Sequence, residues 1–241
     1  MSVSVEMSAV RAVVFDFFGT LTRAMRRGPG HDEVARRLGI DPRTFARVLD
    51  DTFMARTVGA FGGPLTTLAV VAVRAGASAP SQSALRQAYA DRTAAVRSDV
   101  HLRPDAVIVL RAVRARGLRT AVLSDCTREL AVFWGELPVA GLVDARVLSI
   151  EERRHKPDPV MYQTVARRIG VEPRHCLYVG DGGSRELTGA RAAGMTALRL
   201  AADDLNDHLV FGADDWTGPA VRTLSDVMDV LSGVQDRQQD R

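Results

Sequence analysis

A single carboxylate interrupts the first strongly apolar segment of the chain. The run AVVFDFF at residues 12–18 is apolar except for Asp16, and Gly19 ends it. A continuous apolar run of this length is typical of a central strand in a parallel sheet. Because a carboxylate in such a strand costs free energy unless it has a partner or a function, Asp16 is the first candidate for chemistry.

Four further polar side chains stand near the ends of later apolar segments. They are Ser124, Lys156, Asp181 and Glu186. Ser124 and Asp181 follow predicted parallel strands, so we expect them to lie close to Asp16 at one edge of a sheet. Lys156 is the only lysine in the chain, where all other strongly basic side chains are arginines. An incidental surface role is therefore a poor explanation for Lys156.

These residue types suit the attack of a carboxylate on a phosphate ester. Such an ester is doubly anionic, so the attacking group needs cations that cancel repulsion and hold the phosphorus in line. Asp16 and Asp181 predict one Mg²⁺ site with oxygen ligands, to which the backbone carbonyl of Phe18 adds a third. Lys156 and the hydroxyl of Ser124 are predicted to bind the remaining phosphoryl oxygens.

Four ordered segments of the chain resemble the four motifs of the haloacid dehalogenase superfamily. They are DFFGTL at 16–21, LSD at 123–125, KPDP at 156–159 and VGDGGSREL at 179–187. The resemblance covers about residues 10–200 and implies a hydrolase of subfamily I that forms an aspartyl-enzyme intermediate at Asp16. It implies a catalytic group of Asp16, Ser124, Lys156 and Asp181.

The resemblance implies supporting roles for three neighbouring residues. Thr20 is expected to brace the nucleophile loop by hydrogen bonding and, with Asp125, to contribute to the phosphate site. Glu186 is expected to belong to the metal site by orienting metal-bound water. Cys126 has no basic partner in the sequence and is not predicted to be a nucleophile.

Phe18 departs from the pattern of the superfamily's phosphatases. These enzymes carry a second aspartate two residues after the nucleophile, where it serves as general acid and base. Loss of a general acid typically costs roughly 10²- to 10⁴-fold in rate. A phosphomonoester hydrolase acting on a small metabolite is still the preferred interpretation, with a catalytically weakened phosphate-binding protein as one alternative.

Two other branches of the superfamily also lack that aspartate. The 2-haloacid dehalogenases carry a bulky aromatic there, because halide leaves without a proton, and Phe18 is compatible with this alternative. They are free of metal, however, and have a Ser/Asn-type segment in place of Gly180 and Asp181. Phosphonoacetaldehyde hydrolases use a cap lysine, and residues 23–100 contain none, so this branch is excluded.

The periodicity of the chain predicts a doubly wound, Rossmann-like α/β fold with a parallel sheet and an inserted helical cap. Helices alternate with later strands predicted at 118–123, 145–148, 176–179 and 197–200. Residues 23–100 break this alternation with helical segments only. We therefore predict a catalytic core of residues 1–22 and 101–234, a cap of residues 23–100, and a disordered polar tail at 235–241.

Composition limits the classes of partner. The pI of 9.3 is compatible with nucleic-acid binding, but the arginines are scattered along the sequence and form no single basic stripe. No apolar stretch is long enough for a membrane span. The expected partner is a small phosphorylated metabolite, with no nucleic acid or membrane, for a cytoplasmic monomer or homodimer. Two cysteines without a paired motif fit a reducing compartment.

Overall fold

The computed structural model describes residues 10–208 and 211–239 and contains a six-stranded parallel sheet. The strands are β1 Ala12–Phe15, β2 Arg119–Ser124, β3 Ala145–Leu148, β4 Cys176–Gly180, β5 Thr196–Leu200 and β6 Ala220–Val221. Their order in the sheet is β3-β2-β1-β4-β5-β6. The predicted α/β fold is confirmed. The first strand ends at Phe15 rather than at the predicted residue 18, and the two-residue strand β6 was not predicted.

Strand β1 lies at the centre of the sheet because both of its faces are apolar. Val13 and Phe15 belong to one hydrophobic core, Ala12 and Val14 belong to the core on the opposite face, and all four are fully buried. The strand pairs in parallel with β2 on one side and β4 on the other. The carboxyl ends of these three strands therefore lie side by side, which is the usual place for a site in such sheets.

Five helices lie between β1 and β2. They are α1 Pro29–Arg37, α2 Pro42–Asp51, α3 Phe53–Thr57, α4 Pro64–Arg74 and α5 Gln82–Asp99. Their apolar side chains form a hydrophobic cluster of their own. Asp41 caps the start of helix α2, and its carboxylate accepts a hydrogen bond from the backbone N–H of Thr44 at 2.9 Å. We refer to α1–α5 as the cap helices.

The cap helices leave and rejoin the sheet through a short stem. Thr22 and Leu102 form an isolated antiparallel bridge, and the backbone N–H of Arg23 donates to the carbonyl of His101 at 2.8 Å. This stem coincides with the boundaries predicted at residues 22 and 101. The division into two domains itself stays a prediction.

Six α-helices follow the cap within the described residues. They are α6 Ala106–Ala115, α7 Arg128–Phe133, α8 Ser149–Glu152, α9 Pro159–Ile169, α10 Glu186–Ala192 and α11 Asp226–Gln239. Helix α11 corrects the prediction of disorder from residue 235, since it continues to Gln239; residues 240–241 lie outside the described residues. Within the described ranges, no helix is long and apolar enough to cross a membrane.

Candidate active site

The carboxyl ends of the central strands bring the predicted catalytic residues together. Asp16 follows β1, Ser124 ends β2, and Asp181 follows β4. Lys156 comes from the loop before α9, and its backbone N–H donates to a carboxylate oxygen of Asp125 at 3.0 Å. This hydrogen bond anchors the lysine loop to the end of β2. The direct contact between Asp125 and phosphate stays a prediction.

Lys156 lies in a buried cluster of three carboxylates. Its Nζ donates to Asp16 Oδ1 at 2.7 Å and to Glu186 Oε2 at 2.5 Å. Ligand oxygens of Asp16, Asp181 and Glu186 all lie within 4.8 Å of one another. The exposed fraction of each of the four residues is 7% or less. We call Lys156 and the three carboxylates the core cluster.

Glu186 is fixed from several sides. Its Oε1 accepts a hydrogen bond from the backbone N–H of Gly182 at 3.0 Å, and its Oε2 accepts from the hydroxyl of Tyr178 at 2.7 Å as well as from Lys156. Both oxygens thus already have donors within the protein. This arrangement favours the predicted role of Glu186 beside a metal site, with Asp16 and Asp181 as the ligands.

The charges in the core cluster are unbalanced. Burial and the nearby charge of Glu186 raise the pKa of Asp16 to about 7, although Lys156 opposes the shift. Burial, Glu186 and Asp16 likewise raise the pKa of Asp181. Burial alone would lower the pKa of Lys156, but Asp16 and Glu186 raise it overall, so the ammonium group stays charged. One ammonium group therefore faces more negative charge than it can neutralise.

This excess of buried negative charge fits a divalent cation. Carboxylate and carbonyl oxygens are the donors that Mg²⁺ prefers. Asp16, Asp181 and the backbone carbonyl of Phe18 are the residues that would hold such an ion. Asp181 Oδ1 already accepts from the backbone N–H of Gly183 at 3.0 Å, which orients the carboxylate.

Two buried hydroxyls are available for an oxyanion. The side-chain oxygens of Thr20 and Ser124 are fully buried and have no hydrogen-bond partner in the part of the chain that the structure describes. A buried hydroxyl without a partner is costly unless a ligand completes its hydrogen bonds. This observation favours the predicted contact of both hydroxyls with a phosphoryl group.

The nucleophile loop is braced differently from the prediction. Thr20 was expected to brace it by a hydrogen bond, but its hydroxyl makes none among the described residues. Instead the hydroxyl of Thr22 accepts from the backbone N–H of Gly19 at 3.0 Å. Arg103 donates to the carbonyls of Gly19 and Thr20 at 2.9 and 3.0 Å. The prediction was wrong because Thr22 and the distant Arg103, and not the hydroxyl of Thr20, hold the loop.

Phe18 occupies the cavity wall where the phosphatase motif has its second aspartate. Its ring packs edge-on against the ring of Phe17, with centroids 5.0 Å apart, and the side chain is partly buried. Gly19 follows with a φ of +80°, and a Cβ at this position would lie 2.7 Å from His208 Nε2. The turn after Asp16 therefore requires glycine both for its conformation and for space.

His208 is a site residue that the sequence did not reveal. Its Nδ1 accepts a hydrogen bond from the backbone N–H of Met25 at 2.7 Å, so the proton of the neutral ring is assigned to Nε2. Nε2 lies 3.3 Å from Asp181 Oδ2. Burial lowers the pKa of His208, which favours the neutral ring. No motif marks this residue, because it lies between β5 and β6, outside the four segments that resemble the superfamily's motifs.

The core cluster forms the floor of a cavity that the cap helices cover. The empty space of the cavity, including its open mouth, is about 880 Å³. Its walls include Asp16, Phe18, Asp125, Lys156, Asp181, Glu186 and His208. Cap side chains complete the walls, among them Phe53, Arg56 and Arg92. The two arginines were not singled out in the sequence.

Comparisons with known proteins agree with this geometry. A family model described as haloacid dehalogenase-like hydrolase matches residues 10–194. The glyceraldehyde 3-phosphate phosphatase of Methanopyrus kandleri is 30% identical over 132 residues, which span 53% of this chain and 55% of that protein. The chain thus aligns with about half the length of that relative.

Two dehalogenases align over more of the chain. The (S)-2-haloacid dehalogenase 1 of Pseudomonas sp. strain CBS-3 is 28% identical over 203 residues, which span 80% of this chain and 86% of that protein. The crystal structure of a 2-haloacid dehalogenase from Pseudomonas syringae pv. Tomato DC3000 matches with a TM-score of 0.66 at 21% identity. That match covers 92% of this chain and 98% of the other.

Proposed function

Because the chain belongs to the haloacid dehalogenase-like hydrolases, we propose that it is a Mg²⁺-dependent hydrolase of phosphomonoesters of a small metabolite. The observation that carries the proposal is the core cluster, in which three buried carboxylates share one ammonium group. Such a site attracts a divalent cation and, with it, a phosphate group. The two free buried cysteines fit a cytoplasmic location.

In the proposed mechanism Asp16 attacks the phosphorus atom. Lys156 holds Asp16 Oδ1 at 2.7 Å, and the hydroxyls of Thr20 and Ser124 bind phosphoryl oxygens. The bond from phosphorus to the leaving oxygen breaks, and an aspartyl phosphate forms on Asp16. Water then hydrolyses this intermediate and restores the carboxylate. A bound Mg²⁺ supplies positive charge that offsets the charge of the phosphoryl group.

One specific observation supports a second function, the hydrolysis of 2-haloacids. Phe18 offers no proton for a leaving alkoxide, and a halide needs none. The relative with this activity in its name also aligns over 80% of this chain. In this reaction Asp16 would attack carbon instead of phosphorus. The buried Asp181 beside Asp16 favours the phosphatase, because attack on a carbon–halogen bond does not need an acidic metal site.

A release assay separates the two functions. Inorganic phosphate from a panel of phosphorylated metabolites with Mg²⁺ is compared with chloride from 2-chloropropionate with EDTA. We expect phosphate release that EDTA abolishes and Mg²⁺ restores. Asp16→Asn should remove the activity while circular dichroism shows an unchanged fold. Halide release without metal would contradict the phosphatase, and more than a few per cent of activity in Asp16→Asn would rule out the covalent mechanism.

Phe18 provides a test of leaving-group range. Aryl phosphates such as p-nitrophenyl phosphate need little protonation, so we expect them to be hydrolysed much faster than alkyl phosphates. Phe18→Asp should raise the turnover of alkyl phosphates by about 10²-fold, because it adds the missing general acid. Phe18→Asn is the matched control for Phe18→Asp, since asparagine has the shape of aspartate but carries no acidic proton. Equal ratios of aryl to alkyl rates in the wild type and Phe18→Asp would show that another group already protonates the leaving oxygen.

A further inference from the structure

Two arginines of the cap helices are buried in the wall of the active-site cavity. Arg56 on α3 is 5% exposed and Arg92 on α5 is 6% exposed. Both line the cavity whose floor contains Asp16 and Lys156. A buried guanidinium is costly unless a negative charge and hydrogen-bond acceptors compensate it. The question is therefore whether the protein itself supplies the negative charge and the hydrogen-bond acceptors that these two arginines need, or whether a ligand must supply them.

The protein supplies only some of the hydrogen-bond acceptors and negative charges that the two guanidinium groups require. Arg92 Nε donates to Glu129 Oε1 at 2.6 Å, but its Nη1 is buried without a partner among the described residues. Arg56 donates to two neutral oxygens, the hydroxyl of Thr52 at 3.2 Å and the carbonyl of Leu49 at 2.7 Å. Within residues 10–208 and 211–239, no carboxylate forms an ion pair with Arg56.

Among the described residues, Glu129 is the one carboxylate that forms an ion pair with either arginine, and its partner is Arg92. Burial alone would raise its pKa, but Arg92, a hydrogen bond with Thr127 and then Arg56 lower the pKa to about 2, so Glu129 is ionised at neutral pH. We call Arg56, Arg92 and Glu129 the cap cluster. It holds two positive charges and one negative charge, which leaves a net positive charge in a buried wall.

Other charged groups of the cap do not supply the missing anion. Arg27 forms a bidentate ion pair with Asp50. Asp99 accepts from the ring of His31 at 2.8 Å and from the backbone N–H of Gly28 at 3.1 Å. Asp50 and Asp99 therefore have hydrogen-bond partners of their own, and within the described residues neither of them forms an ion pair with Arg56 or Arg92.

We propose that the cap cluster binds a second anionic group of the substrate, at the opposite end of the molecule from the phosphate that Asp16 attacks. The inference rests on the proposed function, because it takes the core cluster as the phosphoryl site. The flat guanidinium of Arg56 and the free Nη1 of Arg92 suit an oxyanion with two acceptor oxygens. The substrate class is therefore a small phosphorylated carboxylic acid or a bisphosphate.

Matched substrates test this assignment in the full chain with Mg²⁺. Phosphate esters of two- to four-carbon hydroxy acids are compared with their neutral carboxamides, and short bisphosphates form a third arm. We expect kcat/KM to be at least 10-fold higher for the acids or the bisphosphates than for the amides. The arm that shows the larger preference identifies the second anion as carboxylate or phosphate.

Arg56→Met isolates the contribution of the cap cluster. Methionine keeps an apolar stem of similar length and removes the charge, and Arg56 has no carboxylate partner that the change would leave unpaired. The ratio of kcat/KM for acid over amide should fall about 10-fold, mainly through KM. Arg86→Met is the matched control, because Arg86 is exposed on α5 and donates a hydrogen bond to Gln82 of the same helix. An unchanged ratio in Arg56→Met, or a ratio near one in the wild type, would overturn the proposal.

A binding measurement separates failure of this inference from failure of the proposed function. The melting temperature is followed with sodium sulfate against sodium chloride at equal ionic strength, in wild type, Arg56→Met and Ser124→Ala. If the cap cluster binds an anion, part of the sulfate stabilisation disappears in Arg56→Met and persists in Ser124→Ala, even if no phosphate ester is hydrolysed. Equal sulfate stabilisation in wild type and Arg56→Met would contradict the anion site.

Discussion

The core cluster and the cap cluster lie in the same cavity and have opposite charge imbalances. In the core cluster, one ammonium group is surrounded by three carboxylates within a few ångströms. In the cap cluster, Arg92 pairs with the one carboxylate, Glu129, while Arg56 donates only to neutral oxygens among the described residues. Buried ion pairs in proteins are usually balanced, because a surplus charge in a poorly solvated place is costly. Each imbalance therefore indicates the sign of the ligand that completes it.

The two clusters also differ in how the chain positions them. The carboxylates of the core cluster stand at or near the ends of neighbouring parallel strands, so the geometry follows from the sheet. The cap cluster joins two cap helices to Glu129 on α7 of the core, and it depends on how the helices pack. The core cluster is thus suited to the chemical step, whereas the cap cluster is suited to recognition of the rest of the substrate.

Among the variants that test the two clusters, Lys156→Met should cause the largest loss of stability. It removes the only cation of the core cluster, and breaking a buried ion pair costs about 3–5 kcal/mol in free energy of unfolding. Urea unfolding without metal measures this loss, and saturating Mg²⁺ should restore part of it. Phosphatase activity should be lost in either case. Lys156→Arg is the control, since it keeps the charge.

Stability of Lys156→Met equal to the wild type, with or without Mg²⁺, would contradict the charge imbalance. It would mean that the three carboxylates share protons in the absence of the lysine. A similar loss in Lys156→Arg would instead show that the fit of the side chain, and not its charge, is what matters.

Glu129 gives the corresponding prediction for the cap cluster. Its pKa is about 2 in the folded chain and about 4.5 when unfolded, so the carboxylate contributes about 3 kcal/mol above pH 4.5. Because the folded pKa is the lower one, this contribution is lost as the pH falls from about 4.5 to 2. Glu129→Gln should therefore be less stable by about that amount at pH 7, and the difference should vanish near pH 2.

Sulfate sharpens the test of Glu129. The variant removes the carboxylate partner of Arg92 and the one negative charge of the cap cluster, so added sulfate should stabilise Glu129→Gln more than the wild type at pH 7. Urea unfolding at several pH values, with the wild type as reference, measures both effects. A stability difference that stays constant from pH 7 to pH 2 would show that the ionised carboxylate is not the cause.

The sequence predicted the core cluster well and the cap cluster not at all. Asp16 and Asp181 were predictable because each directly follows an apolar run whose place in a parallel sheet is fixed by local pattern. Arg56 and Arg92 are two of many arginines on amphipathic helices, and nothing local marks which of them become buried. His208 was missed for the same reason, since only the tertiary fold brings it to Asp181.

Local sequence patterns also could not reveal the parts of the fold that were predicted wrongly. Strand β6 has two residues, too few to show a period. The segment at 235–239 is polar and was predicted to be disordered, but it continues the helix that starts at Asp226. For Thr20, the motif indicated a hydroxyl near the phosphate but could not show that Thr22 and Arg103 brace the loop.

Asp50→Asn should cause the smallest loss of stability, and it tests whether the cap cluster extends to Arg27. Asp50 pairs with Arg27 at the edge of the cavity, where the two side chains are 40% and 21% exposed. Exposed ion pairs contribute about 0–1 kcal/mol, because water already solvates both partners. We therefore expect the free energy of unfolding to change by less than about 1 kcal/mol, with no gain in sulfate response. Urea unfolding of Asp50→Asn beside Glu129→Gln measures the contrast. A loss as large as that of Glu129→Gln would extend the cap cluster to Arg27 and imply that three arginines, rather than two, share the site for the second anion.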